Sequence, residues 1–137
     1  MTSPNLAGSM QDWVKGLLPD LLGVEFTDVA PDKVIARLAV RKDLCTLGDN
    51  LHGGAIMAFA DTLGAVAAIL NMPQGARTTT IESKTNFIRG AALGTRVIGE
   101  AVPLHKGRTT VVCQTTIRSE EGKLVALVTQ TQLVIAA

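Results

Sequence analysis

The sequence predicts an α+β domain in which a curved antiparallel sheet wraps one long apolar helix. Residues 51–70, LHGGAIMAFADTLGAVAAIL, hold a single formally charged side chain, Asp61, and a helix so poor in charge must be covered on most sides. Four β-rich stretches follow it, TTTIESKTNFI, TRVIGEAVPLH, RTTVVCQTTIRS and KLVALVTQTQLVI, with turns at Gly90–Gly94, Lys106-Gly107 and Glu120-Glu121-Gly122. Connections this short join strands antiparallel. A chain of 137 residues, 47% hydrophobic and 18% charged, with no repeat or linker, fits one domain over 1–137.

The elements follow in order. Behind Ser9, residues 9–22 place Met10, Trp13, Val14, Leu17, Leu18 and Leu21 at helical spacing, with Asp12 in capping-box position and Pro19 as a break or kink. GVEFTDVAPDKVIARLAVR reads as a hairpin around Ala30-Pro31-Asp32-Lys33, its second strand alternating Val34, Ala36, Leu38 and Val40 on one face. On the long helix, Ile56, Phe59, Leu63, Val66 and Leu70 form a bulky stripe. Gly54, Ala58, Asp61, Gly64, Ala65 and Ala68 share the other side. Small residues admit a second backbone or a ligand, so this side suits a subunit contact or a narrow channel. The lesser alternative by pattern alone is a solvent-facing Asp61 beside filler alanines.

Composition excludes several classes of function. Net charge is +1 and the Lys and Arg residues are scattered, so neither a nucleic-acid backbone nor an anionic membrane is an expected partner. Cys45 and Cys113 stand far apart with no CxxC pair, which indicates no disulfide framework, no metal site and a cytoplasmic setting. MTSPNLAGSMQDW has no basic segment before an apolar core, so no export signal is expected. The 51–70 helix is interrupted by Asp61-Thr62 and by Gly53, Gly54 and Gly64, too often for a transmembrane span.

His52-Gly53-Gly54 stands at the entry to the long helix. Asp49 or Asn50 could cap it, with the glycines as a tight turn. A helix start also offers free backbone N–H groups and a positive dipole end, which stabilise charge developing on a carbonyl oxygen. A carboxylate two turns further on is then expected to work on the same carbonyl if substrate lies along the helix.

HGGAIMAFAD, TTTIESKTNFIRGAALG and HKGRTTVVCQTTIRSEEGKLVALVTQTQ together resemble the hotdog-fold acyl-CoA thioesterases, in the PaaI-like (phenylacetate-pathway) and 4-hydroxybenzoyl-CoA thioesterase branch, over about residues 20–135. The resemblance implies a hotdog fold and a homo-oligomer, a dimer at minimum and a tetramer in full, with active sites between subunits. It makes Asp61 the catalytic carboxylate, as nucleophile or as general base toward water. His52 orders the loop or the substrate carbonyl, the Gly53 N–H is the oxyanion donor, and Thr80, from the partner subunit, positions water or the acid. Where the family carries Asn or Gln, six residues before the His, this chain has Thr46; either its hydroxyl takes over that role or the water is held differently. Asn50 and Gly54 join the substrate site, and Arg89, Lys106 and Arg108 are expected at the coenzyme A phosphates.

The chemistry agrees with one acid. A thiolate leaving group, with a thiol pKa of about 8.5, departs without a general acid, whereas an amide or phosphoester would need a triad or metal ligands that the sequence lacks. The expected substrate is an aryl- or medium-chain acyl-CoA, with no separate cofactor. Cys113 reads as packing and His105 as a minor candidate. A non-catalytic acyl-CoA-binding protein and a hotdog hydratase or dehydratase are the alternatives.

Overall fold

The computed structural model describes residues 4–137. Residues 1–3, the start of the segment read for an export signal and of the expected 1–137 domain, lie outside the described residues. Two short helices, α1 (Ala7–Trp13) and α2 (Leu18–Leu22), precede the hairpin β1 (Glu25–Ala30) and β2 (Lys33–Ala39). A small hairpin, β3 (Cys45–Thr46) and β4 (Asn50–Leu51), leads into α3 (Gly53–Ile69). Then come β5 (Arg77–Phe87), β6 (Arg96–Lys106), β7 (Thr110–Ser119) and β8 (Leu124–Ile135). Six strands form one antiparallel sheet in the order β1-β2-β6-β7-β8-β5.

The long helix lies against the sheet's inner face. Phe59 and Leu63 are fully buried among Leu38, Val97, Val111 and Ile117. Gly99 makes the approach possible, because a Cβ there would meet Leu63 Cδ2 at 2.9 Å and the Phe59 ring at 3.0 Å. Val34, Ala36, Leu38 and Val40 share the buried face of the second hairpin strand, as their alternation predicts. The bulky stripe of α3 turns inward too, but the small-residue side divides. Gly64 and Ala68 are buried while Gly54 is exposed and Ala58, Asp61 and Ala65 are half-buried. Among the described residues no helix is long and apolar enough to cross a membrane.

The expected helix over 9–22 is instead two helices. Gly16 takes φ 79°, Leu17 is extended, and Pro19 stands in the first turn of α2, where its missing N–H costs nothing; inside one continuous helix it would break a bond and clash. The capping box at Ser9 and Asp12 does not form. α1 starts at Ala7, whose N–H donates to Asn5 Oδ1, and the same oxygen accepts from Val29 N–H. Gln11 then clasps β1, accepting from Phe26 N–H and donating to the Val24 carbonyl. Trp13, Leu17, Leu18 and Leu21 are left exposed.

One irregularity shapes the site. The register of β5 against β8 shifts between Thr80, opposite Gln132, and Glu82, opposite Thr131, so Ile81 is an extra residue in a bulge. Simple alternation from Thr80 would have turned Glu82 and Lys84 inward. The bulge re-aims the strand, so Thr78 and Thr80 before it and Ser83 and Thr85 after it are its half-buried positions.

Candidate active site

The start of α3 is capped by its own histidine rather than by Asp49 or Asn50. Asp49 (φ 60°) belongs to the turn of the β3–β4 hairpin and pairs with Lys42, and Asn50 lies in β4 opposite Thr46. The next acceptor along the chain is the His52 imidazole, whose Nδ1 takes the Gly54 N–H at 2.7 Å. A ring nitrogen that accepts carries no proton, so this bond assigns the His52 proton to Nε2. The Ala55 and Ile56 N–H groups go to the His52 carbonyl. Among the described residues the Gly53 N–H has no acceptor, leaving one free donor at the positive end of the helix dipole.

Each glycine here has its own reason. A Cβ on Gly54 would stand 2.9 Å from His52 Nδ1 and displace the cap. A Cβ on Gly53 would stand 3.2 Å from the Phe87 ring. Gly53 and Phe87 line a cleft of about 390 Å³ with Leu51, Ile56 and Arg89.

Asp61 lies two turns along α3, half-buried. The Thr80 hydroxyl donates to its Oδ1 at 2.6 Å, and Gln130 Nε2 donates to the same oxygen at 3.3 Å. Thr80 in turn accepts from Gln132 Nε2 at 2.6 Å, and Gln132 Oε1 accepts from the Thr78 hydroxyl at 3.0 Å. Among the described residues, no hydrogen bond reaches Oδ2. Asp61 borders a cleft of about 440 Å³ whose far wall is Met10, Trp13, Val14 and Leu17. Ala58 lines both this cleft and the one beside His52 and Gly54.

Sequence reasoning singled out Asp61, His52, Gly53 and Thr80, and two differences emerge. Thr80, expected from the partner subunit, bonds to Asp61 of its own chain, so in a shared site the two would arrive together. Gly53 and Asp61 are eight residues apart on α3, so at 1.5 Å rise their backbones stand about 12 Å apart along the helix. An N–H and an attacking oxygen on one carbonyl stand only about 6–7 Å apart.

The remaining candidates are scattered. Thr46 lines a separate cleft with Lys42, Leu47 and Asp49. Asn50 packs at Gly90, where a Cβ would meet its Oδ1 at 2.8 Å. Arg89 stands at the Gly53 end of the sheet and lines a second cleft with Arg96, Lys123, Glu120 and Glu121. Lys106 and Arg108 stand at the other end of β6, whose 11 residues span roughly 33 Å. One chain therefore does not bring them to Arg89. Cys113 is packing: it is buried with Sγ 3.8 Å from the Gly64 carbonyl, and burial pushes its thiol up to about 11. Among the described residues, no three His, Cys, Asp or Glu side chains gather as metal ligands.

Gln130, Gln132 and Thr78 escaped the sequence reading. The signal was present in β8, where both glutamines share the parity of Val128 and Val134 and so face the helix.

Comparison with known proteins gives the family and the fold. The profile of the Thioesterase superfamily matches residues 48–126, from the turn before His52 through the helix and into β8. The chain is 32% identical over 108 residues to the proofreading thioesterase EntH of Cronobacter turicensis, covering 79% of this chain and 78% of that one. It is 31% identical over 110 residues to the 1,4-dihydroxy-2-naphthoyl-CoA hydrolase of Escherichia coli, covering 80% of each. The crystal structure of a Haemophilus influenzae thioesterase superimposes with a TM-score of 0.89 at 27% identity, over 98% of this chain and 92% of that one. With its helix-wrapping sheet, its glycine helix start and its half-buried aspartate, the chain belongs to the thioesterase superfamily, a thioester hydrolase of hotdog fold.

Proposed function

We propose that the protein hydrolyses an aryl- or medium-chain acyl-CoA thioester to the free acid and coenzyme A. The observation that carries this reading is the Asp61 carboxylate, tied at Oδ1 by Thr80 and Gln130 and bare at Oδ2, on the wall of an apolar cleft. Oδ2 attacks the thioester carbon or takes the proton of an attacking water. The carbonyl oxygen, turning negative, sits on the Gly53 N–H. The thiolate then departs: on the water route it receives the proton that Asp61 took, and on the nucleophilic route a water hydrolyses the acyl–Asp61 anhydride, releasing the acid, restoring the carboxylate and supplying the thiolate's proton.

The 12 Å between Gly53 and Asp61 along one helix supports a composite site. In this reading Gly53 of one protomer faces Asp61 of its partner, and the thioester spans the interface. The acyl group occupies the cleft of Trp13 and Leu17, a size suited to small ligands. The coenzyme follows the groove of Phe87 and Arg89, with its phosphates toward Arg89, Arg96 and Lys123. Lys106 and Arg108 contribute there only if a neighbouring protomer brings them. The unpaired edge of β5, with Ile81 and Phe87 exposed, offers a strand for a second copy to extend the sheet. A dimer fits this edge, a tetramer would need a second interface elsewhere on the protomer, and a cytoplasmic setting fits the free thiols.

The relative that acts on 1,4-dihydroxy-2-naphthoyl-CoA supports an aryl acyl group, while the aliphatic wall of the cleft admits medium chains. Free-thiol release from benzoyl-, phenylacetyl-, hexanoyl- and octanoyl-CoA tests the assignment. Turnover of at least one is expected. Tight binding of these esters without thiol release would point to an acyl-CoA-binding protein instead.

A further inference from the structure

Gln130 occupies a position that no stability argument explains. The side chain is fully buried, its Oε1 has no partner among the described residues, and it lies where a Cβ on Gly64 would be, 2.2 Å away. A glycine in mid-helix and a buried carbonyl without a donor both destabilise the fold. A leucine over an alanine would pack the same space without either cost. What the arrangement delivers is a single N–H pair at Asp61, with Nε2 3.3 Å from Oδ1 and 3.5 Å from the Asp61 carbonyl. The amide cannot be turned around, since Oε1 would then face two oxygens.

Gln132 acts on the same oxygen at one remove. Its Oε1 is occupied by the Thr78 hydroxyl, so Nε2 must donate to Thr80, and the one Thr80 proton must go to Asp61 Oδ1. Thr80 faces into this chain because it pairs with the inward-facing Gln132, in step with Thr78 opposite Val134. Thr78, Gln132 and Thr80 thus form a one-way series of donors ending on the carboxylate.

We propose that Gln130 and Gln132 are positioning residues of the thioesterase site. Their amides, one directly and one through Thr80, hold Asp61 by Oδ1, fix the plane of the carboxylate and leave Oδ2 as the reacting oxygen. This rests on Asp61 being the reacting carboxylate.

The test compares Gln130→Met, Gln132→Glu and Asp61→Asn by steady-state thiol release, using whichever of benzoyl-CoA and octanoyl-CoA the wild type turns over, together with thermal unfolding. Gln130→Met removes the amide and its unpaired oxygen together, so its Tm should hold or rise while kcat falls about tenfold, with KM within about twofold. Gln132→Glu keeps the acceptor for Thr78 but loses the donor to Thr80, and is expected to lower kcat similarly. In the Asp61→Asn background, Gln130→Met should add no further loss. Wild-type kcat per folded molecule in both glutamine variants, beside an inactive Asp61→Asn, would overturn the positioning role and leave the active-site assignment intact. An active Asp61→Asn enzyme would remove the assignment itself, and the positioning role with it.

Discussion

The Thr80 hydroxyl donates to Asp61 Oδ1 over 2.6 Å within one chain. The contact joins the edge strand to the central helix, Thr80 sharing the inward face of its β8 partner Gln132. Thr80→Val keeps the shape and removes the proton, so kcat should fall roughly tenfold, the scale of one hydrogen bond to a charged group. Thr80→Ser should recover most of it. Equal rates for the Val and Ser variants in a thiol-release assay would show that the hydroxyl is idle.

The sequence made the frame legible wherever periodicity was strong. Val34, Ala36 and Leu38 alternate without interruption, and the stripe from Ile56 to Val66 repeats at helical spacing, so burial followed from pattern. It failed where one residue changes the phase. Ile81 cannot be seen as a bulge in TTTIESKTNF, and Gly16 with Pro19 divides what otherwise reads as one amphipathic helix. Asp61 stood out because charge is rare in its surroundings. Gln130 and Gln132 did not, because uncharged amides on a strand resemble surface residues until their parity with Val128 is noticed. Arg89 and Lys106 both looked like strand-end cations, and only the topology separates their ends of the sheet.

Trp13 is the only tryptophan in the chain and stands on the wall opposite Asp61, largely exposed. Its emission should therefore shift to shorter wavelength when a non-hydrolysable octanoyl-CoA thioether fills the cleft. Trp13→Ala should raise KM about five- to tenfold with a smaller change in kcat, since apolar contact binds ground and transition states alike. Unchanged fluorescence at saturating ligand would place the acyl group elsewhere.

Gly53→Ala and Asp61→Asn should each lower activity about a hundredfold, the former because a Cβ, 3.2 Å from the Phe87 ring, would crowd the carbonyl off the N–H that remains. In a composite site, a mixed dimer of the two variants contains one intact pairing of Gly53 with Asp61. Co-expressed chains carrying different tags, purified as the heterodimer, should regain about half the wild-type rate. A heterodimer as inactive as its parents would mean that each chain works alone.

Burial pushes the Cys113 thiol from its ordinary 9.0 up to about 11. Between these values the folded chain keeps a proton that the unfolded chain has released, so stability falls as pH rises from about 9 toward 11 and is unaffected by this group below about 9. Cys113→Ala should flatten that alkaline decline in urea titrations. In the native protein at pH 8, a thiol reagent should modify the half-buried Cys45 and spare Cys113 until the chain unfolds.

The most direct measurement is the kcat of Asp61→Asn for free-thiol release from an acyl-CoA that the wild type hydrolyses, alongside its thermal unfolding. The amide keeps the size of the side chain and can still accept from Thr80, but it carries no charge to attack a carbonyl or draw a proton from water. A fall in kcat of about a hundredfold or more, with cooperative unfolding retained, is expected. Turnover close to that of the wild type in the folded variant would contradict Asp61 as the reacting group.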